Sequence, residues 1–444
     1  MTQKPFEIAI IGGGITGVTL AISLLKRNIR CTIYEQAPAL GEIGAGLGIA
    51  PNARRAMKIC DERIFEAFQR VGTYSSDLSG RPVWIDFLDG TSPTPAPELK
   101  PKFSIMSPPV GHGGVHRARF LDAMIELLPV NKEGGGEGGI LRVGKRLDTI
   151  VDNGSGKLQI KFCDGTTAHA DAVIGCDGVK SRTRELVVGL DENGNPKEGA
   201  KCGYSHKYAY RCMMPTKDVA AQLGEEKCQN PCLWMGPNRH VLTFPVNQGQ
   251  LLNLVAFVTD EGEWPSKTNT TLPATRDEVF KDFEGFSENV RSLIQMTKDK
   301  SDRWGLFDLA DNPLQTFYKG RVLVIGDAAH ASTPHHGAGA GFCVEDVAIL
   351  STLLEDEQVN GTDDLEAVFG AFDKVRRERD QWLVRSSRRA AETYEWRNKE
   401  IGTDFEKMEK DINARQGMCW DVDLDKMLVE AREDLGRRLG KTAA

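Results

Sequence analysis

The sequence predicts an α/β fold: a doubly wound domain with a mostly parallel sheet, a second, antiparallel sheet, and helices toward the C-terminus. Three apolar runs, within residues 6–11, 171–176 and 320–326, each lead into a glycine turn. Continuous apolar runs are typical of parallel strands that are buried on both faces. Between residues 208 and 313 the chain alternates or runs apolar in strand-length pieces, which favours neighbouring strands of one sheet.

Composition narrows the possible functions. The 444 residues carry a formal net charge of -7, which argues against a nucleic acid as partner. No window approaches 18 uninterrupted apolar residues and no secretory signal is evident, so we expect no membrane span. The ten cysteines show no C-x-x-C spacing, and Cys228 and Cys232 have no second pair nearby. The sequence therefore predicts no metal site and reduced thiols in a cytoplasmic protein.

The first glycine turn has the spacing G-x-G-x-x-G at Gly12, Gly14 and Gly17, between a strand and a helical pattern. Gly12 permits the tight turn, Gly14 lets the backbone approach a pyrophosphate, and Gly17 lets the helix pack closely on the strand. The free N–H groups of the helix start favour phosphate. Glu35 ends the next apolar run, where its carboxylate can accept hydrogen bonds from a ribose. This stretch predicts a dinucleotide site.

Two later turns extend this prediction. One strand leads into Asp177 and Gly178, and another into Asp327, whose carboxylate suits a ribityl hydroxyl. Each turn alone is also typical of an ordinary strand end or helix cap. A glycine run and a helix follow Asp327, and bare backbone there allows a flat ring to lie close. The candidate residues of that run are Pro334, Gly337, Gly339 and Ala340.

In this order and spacing, the three turns resemble the flavin fingerprints of the class A flavoprotein aromatic hydroxylases, over nearly the whole chain. The resemblance implies FAD as cofactor, NADH or NADPH as a transient reductant, and O2 as co-substrate. The one further G-x-G-x-x-G spacing, at residues 134–139, lies in a glycine-rich stretch that predicts a loop, so a separate nicotinamide domain is not expected. Residues 41–57 resemble the segment that passes the flavin, with Ala45 and Gly46 beside it. Residues 115–124 resemble a helix start whose Arg117 reaches the cofactor, although a surface arginine is the alternative.

The resemblance also implies a division of the chain. A discontinuous, glutathione-reductase-like FAD-binding domain takes residues 1–80, 108–190 and 315–375. Residues 81–107 and 191–314 form the substrate-binding sheet, and residues 376–444 form a C-terminal helical segment. The charged pattern after residue 364 predicts a solvated helix face, because acids and bases interleave there. The oligomeric state is expected to be a monomer or a homodimer.

Within the family, residues 208–215, 234–265, 304–313 and 420–436 resemble salicylate hydroxylases. This implies decarboxylative hydroxylation of salicylate to catechol, a step of aromatic catabolism. The alternative is a related set of fungal flavoproteins that hydroxylate and dearomatise polyketide phenols. Those often carry a tyrosine where this chain has Phe244, which favours salicylate. An oxidase, or a flavin-binding protein without hydroxylase activity, is the alternative of a different class.

The catalytic candidates are Arg211 and His335. An anionic substrate in a dry pocket needs a cation beside it, and Arg211 lies in the middle of an apolar strand. A structural ion pair is its alternative role. His335 follows Pro334 and is the candidate donor or base near ring and substrate, unless it bonds only to backbone. The expected substrate residues are Arg211, Trp234, Phe244 and His240, where core packing is the alternative for the aromatic residues.

One residue departs from the family pattern. The family commonly has Pro-His-Gln-Gly in the third motif, whereas His336 stands at the glutamine position here. A histidine can hydrogen-bond through either ring nitrogen, and its charge can change near neutral pH. The substitution therefore predicts an altered pH profile rather than a different class of enzyme.

Overall fold

The computed structural model describes residues 3–39, 46–74, 78–107, 112–129, 140–154 and 156–440. Two large sheets dominate it, one mostly parallel and one mostly antiparallel. This architecture confirms the predicted α/β class. Within the described part of the chain, no helix is both long and apolar enough to cross a bilayer.

The first sheet has six strands, and α1 (Ile15–Lys26) follows its central strand. In spatial order the strands are β18 (Tyr318–Lys319), β19 (Val322–Val324), β11 (Ala172–Gly175), β1 (Glu7–Ile11), β2 (Arg30–Tyr34) and β7 (Leu141–Arg142). The pairs β1–β2, β1–β11, β11–β19 and β2–β7 are parallel, and only β18 runs antiparallel to its neighbour. The carboxyl ends of β1, β11 and β19 therefore meet at one edge, so the three glycine turns lie side by side.

The second sheet has eight strands and is antiparallel except for the β4–β13 pair. In spatial order these are β16 (Thr271–Thr275), β17 (Lys300–Asp308), β12 (Gly203–Pro215), β15 (Leu251–Thr259), β14 (Arg239–Val246), β13 (Cys232–Gly236), β4 (Val83–Asp89) and β5 (Phe103–Met106). One face packs on short helices and forms a core of its own. The opposite face looks toward the glycine turns, which leaves a space between the two sheets.

Two small sheets complete the strands. They are β8 (Leu147–Val151), β9 (Leu158–Phe162) and β10 (Thr167–Ala170), and the pair β3 (Gly46–Ile49) and β6 (Gly113–His116). The pair β3–β6 contacts β14 of the large antiparallel sheet. It therefore forms part of the wall between the two sheets. The domain boundaries given above remain a prediction.

The helices pack mainly around the parallel sheet and at the C-terminal end. Besides α1 they are α2 (Pro51–Cys60), α3 (Glu62–Val71), α4 (Arg117–Ile125), α5 (Arg182–Val188), α6 (Thr216–Leu223), α7 (Glu226–Gln229), α8 (Arg276–Asp282), α9 (Glu288–Gln295), α10 (Asp327–His330), α11 (Gly339–Glu355), α12 (Leu365–Tyr394), α13 (Phe405–Trp420) and α14 (Leu424–Arg438). Short 3₁₀ helices cover Pro334–His336 and Thr362–Asp364. Helix α11 is buried over nearly its whole length, including its acidic residues Glu345 and Asp346.

Part of the charged helix α12 is buried, which corrects the expectation of a solvated face. Arg376 is fully buried and donates to Asp346 (2.8 Å), Glu345 (2.5 Å) and Asp380 (2.5 Å). His330 bonds the other oxygen of Asp346 at 2.7 Å. Charge interleaving cannot distinguish this arrangement from a solvated one, because the acids that pair with Arg376 come partly from another helix.

Candidate active site

The first glycine turn has the geometry that only glycine permits. Gly12 has a φ of 109°, and a Cβ there would lie 2.4 Å from the carbonyl oxygen of Cys176. A Cβ on Gly17 would lie 2.0 Å from the carbonyl oxygen of Gly12. At Gly14 the nearest neighbour is Nη2 of Arg117, 4.0 Å from the Cβ position. The backbone of Gly14 and the start of α1 are thus open to a ligand, with an arginine beside them.

Glu35 lies at the end of β2 in the cleft beside this turn. Its two carboxylate oxygens accept hydrogen bonds from the backbone N–H groups of Gly13 and Ala37, each at 2.7 Å. These bonds hold the carboxylate at a fixed position on the cleft wall. Lys145, Arg146 and Gly178 line the same cleft. The sequence-predicted ribose partner therefore faces the space that a nucleoside needs.

Replacing Glu35 by alanine is expected to weaken FAD binding by about tenfold or more. A charge-assisted hydrogen bond contributes roughly 1.5–3 kcal/mol, which corresponds to a factor of about ten to one hundred. Titration of the apoprotein with FAD, followed by flavin fluorescence, measures the effect. Glu406→Ala, in the exposed first turn of α13, is the control. Equal FAD affinity of Glu35→Ala and the control would refute the ribose role.

The second and third turns contribute differently. The carboxylate of Asp177 is occupied within its own turn, where it accepts from Ser181 Oγ (2.5 Å) and from the Thr183 N–H (2.9 Å). Its side chain thus supports the turn, while Gly178 lines the ligand space. Asp327 has an exposed carboxylate that lines the cavity beyond, at the start of α10. Its carboxylate is therefore placed to accept from a ligand hydroxyl.

A cavity of about 390 Å³ continues from the cleft into the space between the sheets. The two share Gly14, Arg117, Cys176 and Gly178, so together they form one continuous site. The third-motif wall of the cavity consists of Pro334, His335, Gly337, Ala338, Gly339 and Ala340. Gly46 lies opposite on β3, and Ala45 lies outside the described residues. The continuous site, the bare glycine walls and the Asp327 carboxylate fit FAD.

The opposite wall is one face of the antiparallel sheet. Strand register places Arg211 beside Val255, Val255 beside Leu242, and Leu242 beside Leu233. All four line the cavity. Adjacent strands lie about 4.8 Å apart, so this row extends about 14 Å from the arginine. We call these four residues the sheet row: one cation followed by aliphatic side chains.

Arg211 lacks an acidic partner among the described residues. Its guanidinium carbon lies 5.0 Å from the centre of the Trp304 ring. Burial, together with the nearby Arg117, lowers the pKa of Arg211 from its usual value. A partly buried cation that has an aromatic ring and a second arginine nearby, but no acidic partner among the described residues, favours an anionic ligand.

His240 lines the same cavity and belongs to a buried polar group. Its Nδ1 lies 3.0 Å from Oε1 of Glu395, and its ring stacks on Phe257 at 4.4 Å. Glu395 follows the last residue of α12 and also accepts from Lys207 Nζ at 2.5 Å. Sequence reasoning missed both charged partners. Lys207 and Arg211 are four residues apart on β12 and therefore lie on the same face of the sheet, which could have indicated a role for Lys207. Nothing in the local sequence indicated Glu395.

The two histidines of the third motif are neutral and buried. Burial and the neighbouring His240 hold the pKa of His335 well below its usual value, and both its ring nitrogens lack a partner among the described residues. Burial and Arg415 lower the pKa of His336 to about 4. His336 is held between Ser386 Oγ (2.8 Å) and the Gln416 amide (3.2 Å). The expectation that the charge of His336 varies near neutral pH is therefore wrong.

Trp234 does not line the cavity, which corrects the sequence prediction. Alternation along β13 directs Leu233 to the cavity and Trp234 to the core on the other face of the sheet. Phe244 does line the cavity, and a Cβ on Gly46 would lie 2.5 Å from its ring. The glycine is therefore required for β3 to approach the sheet at this point.

Four lining aromatic residues were not predicted: Trp84, His112, Phe257 and Tyr394. Trp84 and His112 lie 5.8 Å apart, ring centre to ring centre. Burial lowers the pKa of His112 to about 3, so this ring is neutral. Tyr394 donates to the carbonyl oxygen of His335 at 3.2 Å. None of them stands in a glycine motif, so only the fold brings them to the site.

Comparison with known proteins gives consistent matches. Residues 161–387 match the FAD binding domain family, and residues 10–46 match the NAD(P)-binding Rossmann-like domain family. The FAD-dependent monooxygenase pigN of Monascus ruber is 42% identical over 98% of each chain. The dual trans-enoyl reductase/FAD-dependent monooxygenase tazHJ of Aspergillus terreus is 41% identical over 98% of this chain and 61% of its own. A solved salicylate hydroxylase substrate complex is 30% identical, with a TM-score of 0.81 over 96% of this chain and 98% of its own.

Proposed function

The chain belongs to the FAD-dependent monooxygenases, and we propose that it hydroxylates a polyketide-derived phenol that carries an acyl or alkyl chain. The observation that carries this proposal is the sheet row, in which an aliphatic wall extends to about 14 Å from Arg211. The cation suits a phenolate or a conjugated oxygen anion. The aliphatic wall suits an apolar substituent, because each buried methylene contributes about 0.8 kcal/mol.

The fused relative supports the same substrate class. In the Aspergillus terreus protein, a monooxygenase unit shares one chain with a trans-enoyl reductase. A trans-enoyl reductase acts on an unsaturated acyl chain. This pairing favours a substrate that carries such a chain over a bare hydroxybenzoate.

The chain's own residues then have separate tasks. Arg211 pairs with the negative charge of the electron-rich ring, and the aliphatic row orients the substituent. Leu242, Val255 and Phe257 keep bulk water away from the reacting carbon. Bound FAD supplies the oxygen-activating chemistry, with NAD(P)H as electron donor and O2 as oxidant. The sum of the reaction inserts one oxygen atom into the substrate and releases the other as water. If the attacked carbon bears a methyl group, that carbon has no proton to lose. The ring then does not become aromatic again, and a dienone forms.

A substrate series tests the proposal. NADH and NADPH consumption is measured with 2,4-dihydroxyphenyl ketones of increasing alkyl length and with salicylate, and products are identified by mass. We expect kcat/KM to rise up to about fourfold per methylene while the aliphatic row is being filled. Products should gain one oxygen atom. No stimulation of NAD(P)H consumption by any ketone of the series would refute the proposal.

Decarboxylative hydroxylation of salicylate to catechol is the second candidate. It is favoured by the likeness to a solved salicylate hydroxylase complex over nearly the whole of both chains. Here Arg211 would pair with the carboxylate, and carbon dioxide would leave from the attacked carbon. Formation of catechol with a kcat/KM above that of every ketone in the series would favour this candidate.

Replacing His335 by alanine is expected to uncouple NAD(P)H oxidation from product formation. The neutral ring lies on the cavity wall between the glycine run and the sheet. Removing it opens a path for water to the reacting groups, so more reducing equivalents should end in hydrogen peroxide. The measured quantity is product formed per NAD(P)H consumed, with exposed His169→Ala as control. A coupling ratio equal to that of the control would exclude this role.

A further inference from the structure

Three buried charged or titratable side chains have no task in the proposed mechanism: His240, which lines the cavity, and its neighbours Glu395 and Lys207. Nδ1 of His240 lies 3.0 Å from one oxygen of Glu395. The other oxygen accepts from Lys207 Nζ at 2.5 Å and from Thr259 Oγ1. Lys207 also lies 2.9 Å from Glu392, whose side chain is 38% exposed. The group therefore extends from the cavity wall to the surface.

Glu395 is ionised in this arrangement. Burial by itself would raise its pKa, but the hydrogen bond from His240 and the charge of Lys207 lower the pKa below the usual value. An ionised carboxylate can only accept hydrogen bonds. Nδ1 of His240 must therefore carry a proton and donate a hydrogen bond to Glu395.

This fixes the tautomer of a neutral His240. Burial lowers the pKa of the imidazole, so the ring is not already protonated near neutral pH. With its proton on Nδ1, Nε2 carries the free lone pair. Nε2 lacks a hydrogen-bond partner among the described residues, and the residue lines the cavity. The ring thus presents a base to a ligand, with a carboxylate behind it that stabilises the protonated form.

The groups around His240 agree with this role. Its ring faces Glu395 and Lys207 on one side, and the rings of His335 (5.2 Å) and Tyr394 (5.5 Å) on the others. The charge of Lys207 repels a positive His240, and a protonated His335 would do the same. The negative charge of Glu395 offsets this repulsion. His240, His335 and Glu395 also lie close enough together to be ligands of one metal ion. The ammonium group of Lys207 on the carboxylate opposes a divalent cation there.

We propose that His240 and Glu395 form a dyad that removes the proton of a substrate hydroxyl, with Lys207 as the charged support of Glu395. The inference rests on the proposed function, because it concerns the same cavity. The substrate O–H bond breaks and the proton moves to Nε2, giving an imidazolium paired with Glu395. The electron pair stays on the substrate oxygen as a phenolate. His240 is a catalytic residue in this scheme, and Glu395 and Lys207 are positioning residues.

The dyad and Arg211 together define the substrate further. Arg211 on β12 and His240 on β14 are separated by strand β15 and are offset by two residues along the strands. Their Cα atoms are therefore about 12 Å apart. Both side chains project from the same face of the sheet at this separation, so they contact different parts of one ligand. A hydroxyl para to an acyl group shares its negative charge with the acyl oxygen once it is ionised. A 4-hydroxyaryl aldehyde or ketone lets His240 take the proton at one end while Arg211 stabilises charge at the other.

The test measures ionisation of a bound phenol in the FAD-loaded enzyme. 2,4-Dihydroxybenzaldehyde is the probe, because its phenolate absorbs at longer wavelength than the neutral form. Difference spectra across pH give the apparent pKa of the bound probe for wild type, His240→Gln, Glu395→Gln and Lys207→Met. We expect a lower pKa in wild type than in solution, and a rise of at least one pH unit in His240→Gln and Glu395→Gln. The pH profile of kcat should move in the same direction.

Controls separate this proposal from folding defects and from the proposed function. His169→Gln, an exposed histidine on β10, should leave the ionisation of the bound probe unchanged. FAD affinity and thermal midpoint show whether each variant is folded, and any one folded variant of the dyad decides the question. Bound probe with the same pKa in wild type and in a folded dyad variant would overturn the dyad while leaving the proposed function intact. Failure of the probe to bind to wild type would count against both, and a stoichiometric metal ion in the purified protein would overturn the dyad alone.

Discussion

Arg211→Met is expected to lower kcat/KM for the phenolic substrate at least about tenfold, which corresponds to roughly 1.4 kcal/mol, with FAD binding retained. A charge-assisted hydrogen bond contributes roughly 1.5–3 kcal/mol, so the loss can reach about one hundredfold. Methionine keeps an apolar stem of similar length, so the change removes mainly the charge. The guanidinium has no acidic partner among the described residues whose loss would disturb the fold. Steady-state kinetics with the preferred ketone measures the effect.

Arg303→Met is the matched control for Arg211→Met. Arg303 lies on the adjacent strand β17, where it stacks on Tyr208 and Trp264 outside the cavity. Its replacement should leave kcat/KM within about twofold of wild type. Arg211→Lys should restore part of the activity, because it returns the charge without the planar guanidinium. Wild-type kinetics in Arg211→Met would exclude the proposed pairing with the substrate.

Arg376→Met is expected to destabilise the protein by about 3–5 kcal/mol. The guanidinium lies among the buried carboxylates of Glu345, Asp346 and Asp380, and all four side chains are fully buried. Without the arginine, these carboxylates lose their central donor and their main compensating charge. Urea denaturation followed by circular dichroism measures the free energy of unfolding.

Arg377→Met, one position further along α12, is the control for this effect. Its guanidinium is 36% exposed and lies 3.6 Å from Asp373. Such a surface pair contributes roughly 0–1 kcal/mol. An Arg376→Met variant no less stable than Arg377→Met would show that the buried network contributes nothing to stability.

The local motifs were sufficient to predict FAD as the cofactor. Gly12, Gly14 and Gly17 act through the backbone, and steric limits on the backbone can be inferred from the order of residues alone. Glu35 follows at a distance along the chain that the strand–helix–strand unit determines. The predicted FAD-dependent monooxygenase class is confirmed by the family matches and by relatives more than 40% identical over the chain. The choice between salicylate and a larger phenol was not accessible from these motifs.

The substrate wall was harder to predict, because each strand presents only alternate residues to the cavity. Sequence analysis named Arg211, Phe244 and His240, which do line it, and also Trp234, which faces the other side of the sheet. Choosing between the two faces requires the register of β13 against its neighbours. A one-residue shift exchanges the faces, and nothing in the local sequence determines it.

By itself, the sequence determined the fold class, the dinucleotide turns and the family, because these depend on spacings within short segments. The tertiary structure alone decided which charges are compensated. Glu395 lies 155 residues from His240 along the chain, yet only 3.0 Å separates the bonded atoms, and the cation of Arg376 is buried among acids from two helices. The pKa and the role of a buried group depend on its neighbours in space, and only the folded chain brings those neighbours together.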